Sequence, residues 1–212
     1  MTKTWGPLGW ATLHSIAALY PDNPSDLEKA LISRWIDSFR GCIVCEKCKT
    51  HFTTLLNEYT ALHPDWNSSR KNLSLFVIRA HNTVNVRQTN RPVLSASEAI
   101  EHMKRNIPSD KAHLIRQSYI VHIRAEWSKL MGLEAVTAAK FIRDLVMTET
   151  DYWGNRHLDW NSIEHLIQYE NVEPLASRKK ESSIFSFKVP QPKNPVSIMN
   201  TGSKPRFSFL SR

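Results

Sequence analysis

This sequence predicts an all-α protein: a four-helix bundle with a short fifth helix, then a second helical section and an extended basic tail. Three observations lead there. Apolar residues recur at intervals of three and four through much of residues 5–169. Proline, glycine and capping residues cut that pattern into pieces of helical length. No alternating run of useful length stands in the first 90 or so residues to suggest a strand.

The first helix is expected over residues 5–19, with Leu8, Leu13, Ile16, Ala17 and then Tyr20 at helical spacing before Pro21 stops it. Ser25-Asp26-Leu27-Glu28 is a capping box opening a second helix through Leu31, Trp35 and Phe39, which Gly41 interrupts. A third helix is expected from near Cys45, burying Phe52, Leu55, Leu56 and Tyr59. After a polar loop, 63–71, a fourth runs over about 72–87 and turns Leu75, Phe76 and Val77 or Ile78 inward. Residues 97–107 suit the short fifth helix.

Pro108 separates a second section with helical stretches at 109–131, 133–151 and 162–169, broken at Gly132 and at Trp153-Gly154-Asn155. The expected stripes are Leu114, Ile115, Tyr119, Val121 and Ile123; Val136, Phe141, Leu145 and Val146; and Ile163, Leu166 and Ile167. His113, His122 and His157 stand singly and read as surface or satisfied core residues, so this section shows no catalytic constellation. The domain reading is 1–107, 108–176 and 177–212.

The chain has 212 residues, 41% of them hydrophobic, with seven tryptophans, enough for a sizeable core. No run approaches the roughly 18–20 apolar residues of a membrane span, and no charged-then-apolar leader opens the chain. A cytoplasmic protein is the expectation. The net charge is +8, of which +7 lies in residues 177–212. In that tail Pro190, Pro192, Pro195 and Pro205 exclude long helices. Two Phe-Ser-Phe segments, at Phe185-Ser186-Phe187 and Phe207-Ser208-Phe209, suit an extended stretch docking on a protein or stacking on nucleic acid. A disordered solubilising tail is the plainer reading.

Chemistry concentrates around Cys42, Cys45 and Cys48, the only cysteines. Their clustering excludes a disulfide scaffold of the secreted kind and points to redox or metal chemistry. Cys45 and Cys48, at i and i+3, share one side of a helical turn. A helix beginning at Cys45 would favour its thiolate through unpaired N–H groups and the dipole, with Lys47 and Lys49 adding positive charge. Zinc competes, because Cys42, Cys45, Cys48 and His51 have C-x-x-C-x-x-C-x-x-H spacing. On one helix, however, such steps drift by about 60° each and spread over roughly 13 Å, too far for one tetrahedral ion. A loop before Cys45 would be needed to gather them.

Three blocks frame this pair: Trp5-Gly6-x-x-x-Trp10-x-x-x-His14-x-x-x-x-x-Tyr20-Pro21 upstream, Cys45-x-x-Cys48-x-x-His51-Phe52, and His81-Asn82-x-Val84-Asn85 followed by Arg91-Pro92. In this order they resemble the Erv/ALR family of FAD-linked sulfhydryl oxidases, most like the forms encoded by large DNA viruses. The resemblance covers about residues 4–95. It implies an FAD-dependent oxidation of dithiol protein substrates, with electrons passed to oxygen to give hydrogen peroxide. Under it, Cys45 exchanges with substrate and Cys48 faces the flavin. Trp5, Gly6, Trp10, His14, Tyr20, Cys48, His51, Phe52, His81, Asn82, Val84 and Asn85 line the FAD site, and Arg91 suits the pyrophosphate. It further implies a homodimer through the first helices and a setting in host cytoplasm or virion. Read singly, Trp5, Trp10 and Phe52 are ordinary core residues and His14 a satisfied buried histidine. His81 and Asn85 at i, i+4 with Asn82 beside them are costly to bury unless something polar fills the bundle.

The chain departs from the family in having neither a separate shuttle C-x-x-C nor a cysteine pair stapling the fifth helix. Cys42 is either a resolving thiol or a small apolar residue. A structural or assembly protein built on the bundle, with reduced or absent catalysis, is the alternative.

Overall fold

Pro21 and the capping box after it fix the first turn in the chain, and the computed structural model follows them. The structure describes residues 2–87 and 92–175. Helix α1 (Thr2–Leu19) ends just before Pro21. At α2 (Asp26–Gly41) the Ser25 hydroxyl accepts from the Glu28 N–H, and the Glu28 carboxylate accepts from the Ser25 N–H at 2.9 Å. Then come α3 (Glu46–Leu62), α4 (Arg70–Arg87) and α5 (Ala96–Asn106). Ser95 and Glu98 form a second capping box, which starts α5 one residue earlier than its apolar spacing suggests.

In the second section, a 3₁₀ turn (Ser109–Lys111) precedes α6 (Ala112–Trp127). Helix α7 (Leu133–Thr148) runs into a π-helical turn (Glu149–Trp153), and α8 (Trp160–Ile167) follows. Gly132, with φ of 100°, sits in the left-handed region that only glycine adopts without cost and makes the α6–α7 turn. Every described element is helical.

Of the stripe expected on α6, Tyr119 and Ile123 are buried and Ile115 packs against the core, but two residues face out. Ala112, Arg116, Tyr119, Ile123 and Trp127 are buried, whereas Leu114 and Val121 are 49% and 66% exposed. On α7 the buried residues are Ala138, Ile142 and Leu145, and Val136 faces out.

The second section packs on the first. Helix α6 lies along α1, α7 along α2, and α8 across α4 and α5. A Cβ at Gly41 would overlap the Phe141 ring, so the α2–α7 approach requires that glycine. From Thr12 to Leu19 every residue of α1 is buried, which on a helix means enclosure on all sides. Full burial of each leucine or isoleucine there contributes about 1.5–3 kcal/mol. Met1–Ala176 form one compact unit, so both sections share a core. Arg116 stands at that junction, 2% exposed. It makes a bidentate ion pair with Glu149 (2.8 and 2.9 Å) and donates to the Ser15 hydroxyl of α1 at 2.7 Å. Among the described residues, no helix is long and apolar enough to cross a membrane. The expectations for Arg91 and for the tail lie outside the described residues.

Candidate active site

The α2–α3 junction sets the cysteines. Cys42 ends α2, and its carbonyl accepts a 2.9 Å hydrogen bond from the Trp127 indole of α6. The chain then turns, and Cys45 becomes the N-cap of α3 with extended backbone (φ −76°, ψ 104°). Its Sγ accepts from the Cys48 N–H at 3.3 Å, as a serine oxygen does at an ordinary cap. Cys45 and Cys48 are joined in a disulfide, with Cα atoms 5.2 Å apart. On reduction, the Cys45 sulfur faces the unpaired N–H groups and positive end of α3, which favour a thiolate. Lys47 is exposed, while the Lys49 ammonium lies 5.8 Å from the centre of the Trp127 ring.

Cys42 behaves differently. It is fully buried, and burial pushes its thiol up to about 12, so it stays neutral and sealed near pH 7. The zinc arrangement would need Cys42, Cys45, Cys48 and His51 to converge. Here two of them share a disulfide, Cys42 is sealed, and His51 is exposed. Among the described residues, no group of three or more His, Cys, Asp or Glu stands arranged for a metal ion.

One helical turn below Cys48, Phe52 is buried against Phe39, which stacks on Trp35 and Tyr119. A second cluster joins α1 to α4. The His14 Nε2 and His81 Nδ1 atoms are 3.0 Å apart, and the Trp10 ring stacks on His81 at 4.2 Å between centroids. Burial, then His81 and His102, hold His14 well below the ordinary imidazole value, so His14 meets His81 as a neutral ring. A cavity of about 10 Å³, room for little more than one water, adjoins His14 and is also lined by Ser74 and by Met103 and Trp160 from α5 and α8.

The remaining expected residues divide. Trp5 is half-buried, and Gly6 has open space beside it. Val84 is half-buried. The Tyr20 hydroxyl donates to the Asn67 carbonyl at 2.9 Å, tying α1 to the α3–α4 loop. The Asn82 amide donates to the Leu94 and Val172 carbonyls (2.8 and 2.9 Å), and its oxygen accepts from the Leu94 N–H at 3.1 Å. Asn85 donates to the Pro92 carbonyl at 3.2 Å. Both asparagines therefore hold the segment after α4, and Asn82 also binds residues beyond α8.

An FAD group can be tested against this interior by its unpartnered polar atoms. Trp5 Nε1, Thr12 Oγ1 and Ser74 Oγ are buried without a hydrogen-bond partner, and Ser74 faces the cavity beside His14. Orphaned donors of this kind on α1 and α4, next to imidazole and indole rings, fit a ligand with an aromatic, heteroatom-rich ring system. At about 10 Å³ the cavity is far below the roughly 300–1,000 Å³ usual for ligand pockets, so the helices and side chains around it must part to admit a dinucleotide. The spacing of the motif residues never singled out Ser74 or Thr12. Trp127 and Arg116 were also missed, although Ala112, Arg116, Tyr119, Ile123 and Trp127 fall on one helical face.

The Erv1 / Alr family model matches residues 8–106. A probable FAD-linked sulfhydryl oxidase of Acanthamoeba polyphaga mimivirus is 34% identical over 109 residues, covering 51% of this chain and 75% of the relative. A putative FAD-linked sulfhydryl oxidase of Invertebrate iridescent virus 3 is 33% identical over 108 residues, covering 51% and 70%. The mitochondrial FAD-linked sulfhydryl oxidase ERV1 of Saccharomyces cerevisiae is 31% identical over 80 residues, covering 38% and 40%. No solved structure matches the chain.

Proposed function

Because the chain belongs to the Erv1/Alr family, we propose that Cys45 and Cys48 are the redox pair through which it oxidises thiols. It is an FAD-dependent thiol oxidase acting on dithiol substrates. The observation that carries the residue assignment is the disulfide built into the first turn of α3.

In the first step a substrate thiolate attacks Cys45 Sγ. The Cys45–Cys48 bond breaks, a mixed disulfide forms, and the Cys48 sulfur leaves as a thiolate. The second substrate thiolate then attacks the substrate sulfur of that mixed disulfide and releases Cys45, again as a thiolate at the α3 N-cap. The substrate loses two electrons and two protons, and the cysteine pair gains the electrons. Bound FAD supplies the route by which that electron pair reaches oxygen as hydrogen peroxide. Cys42, sealed and neutral, takes no part, so exchange runs on Cys45 and Cys48 alone.

Trp5, Trp10, Thr12, His14, Ser74 and His81 would hold the cofactor on α1 and α4, with Gly6, His51, Phe52 and Val84 around them and Arg91 toward the pyrophosphate. Tyr20, Asn82 and Asn85 serve the site by fixing the segments that border it. A homodimer through the first helices belongs to the same proposal, and it would use the first turns of α1, where Pro7 is exposed and Leu8 and Trp10 are half-buried, because Thr12 to Leu19 are enclosed. A cytoplasmic setting belongs to the same proposal and rests on three clustered cysteines in place of scattered pairs. For the basic tail, loss of one protein partner on Phe185→Ala or Phe209→Ala supports docking, and salt-sensitive capture of single strands supports nucleic acid.

Oxygen uptake with a small dithiol tests the assignment. Cys48→Ser is expected to abolish it while FAD stays bound. Uptake at the wild-type rate in that variant would overturn the mechanism.

A further inference from the structure

The turn between α6 and α7 presents an exposed apolar cluster. Met131 is 96% exposed, Leu133 82%, Val136 58% and Leu130 45%. Exposed apolar residues grouped this closely and rimmed by charge, here Lys129 and Lys140, mark interaction surfaces. On α7, Val136 is turned outward while Ala138, Ile142 and Leu145 fill the core.

This tip is anchored to the redox loop. The Trp127 indole binds the Cys42 carbonyl, the Lys49 ammonium lies over the same ring, and the Leu130 N–H folds back on the Trp127 carbonyl at 3.1 Å. Leu130 is three residues from Trp127 and Cys45 three residues from Cys42, so each stands within about 11 Å of the clamp along the backbone. An extended segment of ten residues spans about 33 Å. A polypeptide with a cysteine at Cys45 therefore has flanking residues in reach of Leu130, Met131 and Leu133.

We propose that this tip is the docking surface for the protein substrate, a reduced and extended segment with apolar side chains flanking its dithiol. The proposal rests on the oxidase reading and names its substrate class. Dithiols awaiting oxidation belong to chains that have not finished folding, and such chains expose the apolar residues that folding later buries. A small dithiol needs no such surface.

Two probes separate the cases: dithiothreitol and reduced, unfolded ribonuclease A, each given to the full-length, FAD-loaded protein. Met131→Asp with Leu133→Asp changes only highly exposed side chains. It is expected to raise KM for reduced ribonuclease A by about tenfold, an apolar contact or two, with dithiothreitol oxidation unchanged. Fluorescence anisotropy with alkylated ribonuclease A, which cannot exchange disulfides, should show the same loss of affinity. Equal rates on both thiols in variant and wild type would overturn the proposal. So would equal slowing on both, or a change in oligomeric state alone, which would make the tip a contact between copies. A wild-type protein that oxidises neither thiol refutes the oxidase reading, and the anisotropy result still decides the docking surface.

Discussion

At the scale of single residues, the three cysteines divide by environment. Cys45 caps a helix and shares a disulfide with Cys48, while Cys42 is buried with its thiol pushed up to about 12. Cys42→Ala is therefore expected to leave thiol-dependent oxygen uptake within about twofold, and a collapse of uptake would return Cys42 to the exchange pathway. His14 gives a pH dependence whose sign follows from its lowered value. Unfolded, it binds a proton below about 6.5; folded, it stays neutral there, so the unfolded state binds more protons. Its contribution is fully present above that pH and is lost as pH falls through and below it, at up to about 1.4 kcal/mol per unit. Urea midpoints from pH 8 to 5 should show this slope in the wild type and a shallower one in His14→Gln. That Cys45 and Cys48 lie within disulfide reach was legible from their i, i+3 spacing. The partners of Asn82 were not, because Val172 lies 90 residues further along and nothing local announces it.

At the scale of elements, helix positions were legible because their signals are local. Pro21, the Ser25–Glu28 box, Gly132 and the apolar spacing act within one or two turns. The edges of the buried α6 face were not legible, because Leu114 and Val121 look as apolar as Ile123, and the choice between them is made by α1 and α7. Arg116 lies on that buried face and brings a charge onto the inner stripe, where Glu149 of the turn after α7 pairs with it. Arg116→Ala leaves Glu149 buried and unpaired, so a loss of about 3–5 kcal/mol is expected from urea unfolding. Replacing both with methionine should recover much of that loss. If it does not, the ion pair is not what the junction needs.

At the scale of the whole molecule, the boundary at residue 107 marks where the family match ends but not where the core does. Helices α6, α7 and α8 cover α1, α2, α4 and α5, and α1 has no open side over Thr12–Leu19. A fragment of residues 1–107 is expected to aggregate or bind hydrophobic dyes, whereas residues 1–176 fold cooperatively by circular dichroism. A well-folded, FAD-binding 1–107 fragment would show that the second section is an addition to a finished bundle. The sequence could not reveal this union, since it rests on contacts such as Trp127 with Cys42 and Arg116 with Ser15, about 85 and 100 residues apart.

The most direct test of the account is the visible absorption spectrum of the purified protein, taken before and after a small dithiol is added without air. The account predicts flavin bands that bleach with the dithiol and return on admitting oxygen, and that persist unbleached in Cys48→Ser. A protein that takes up no FAD when supplied, or whose flavin ignores the dithiol, would contradict it.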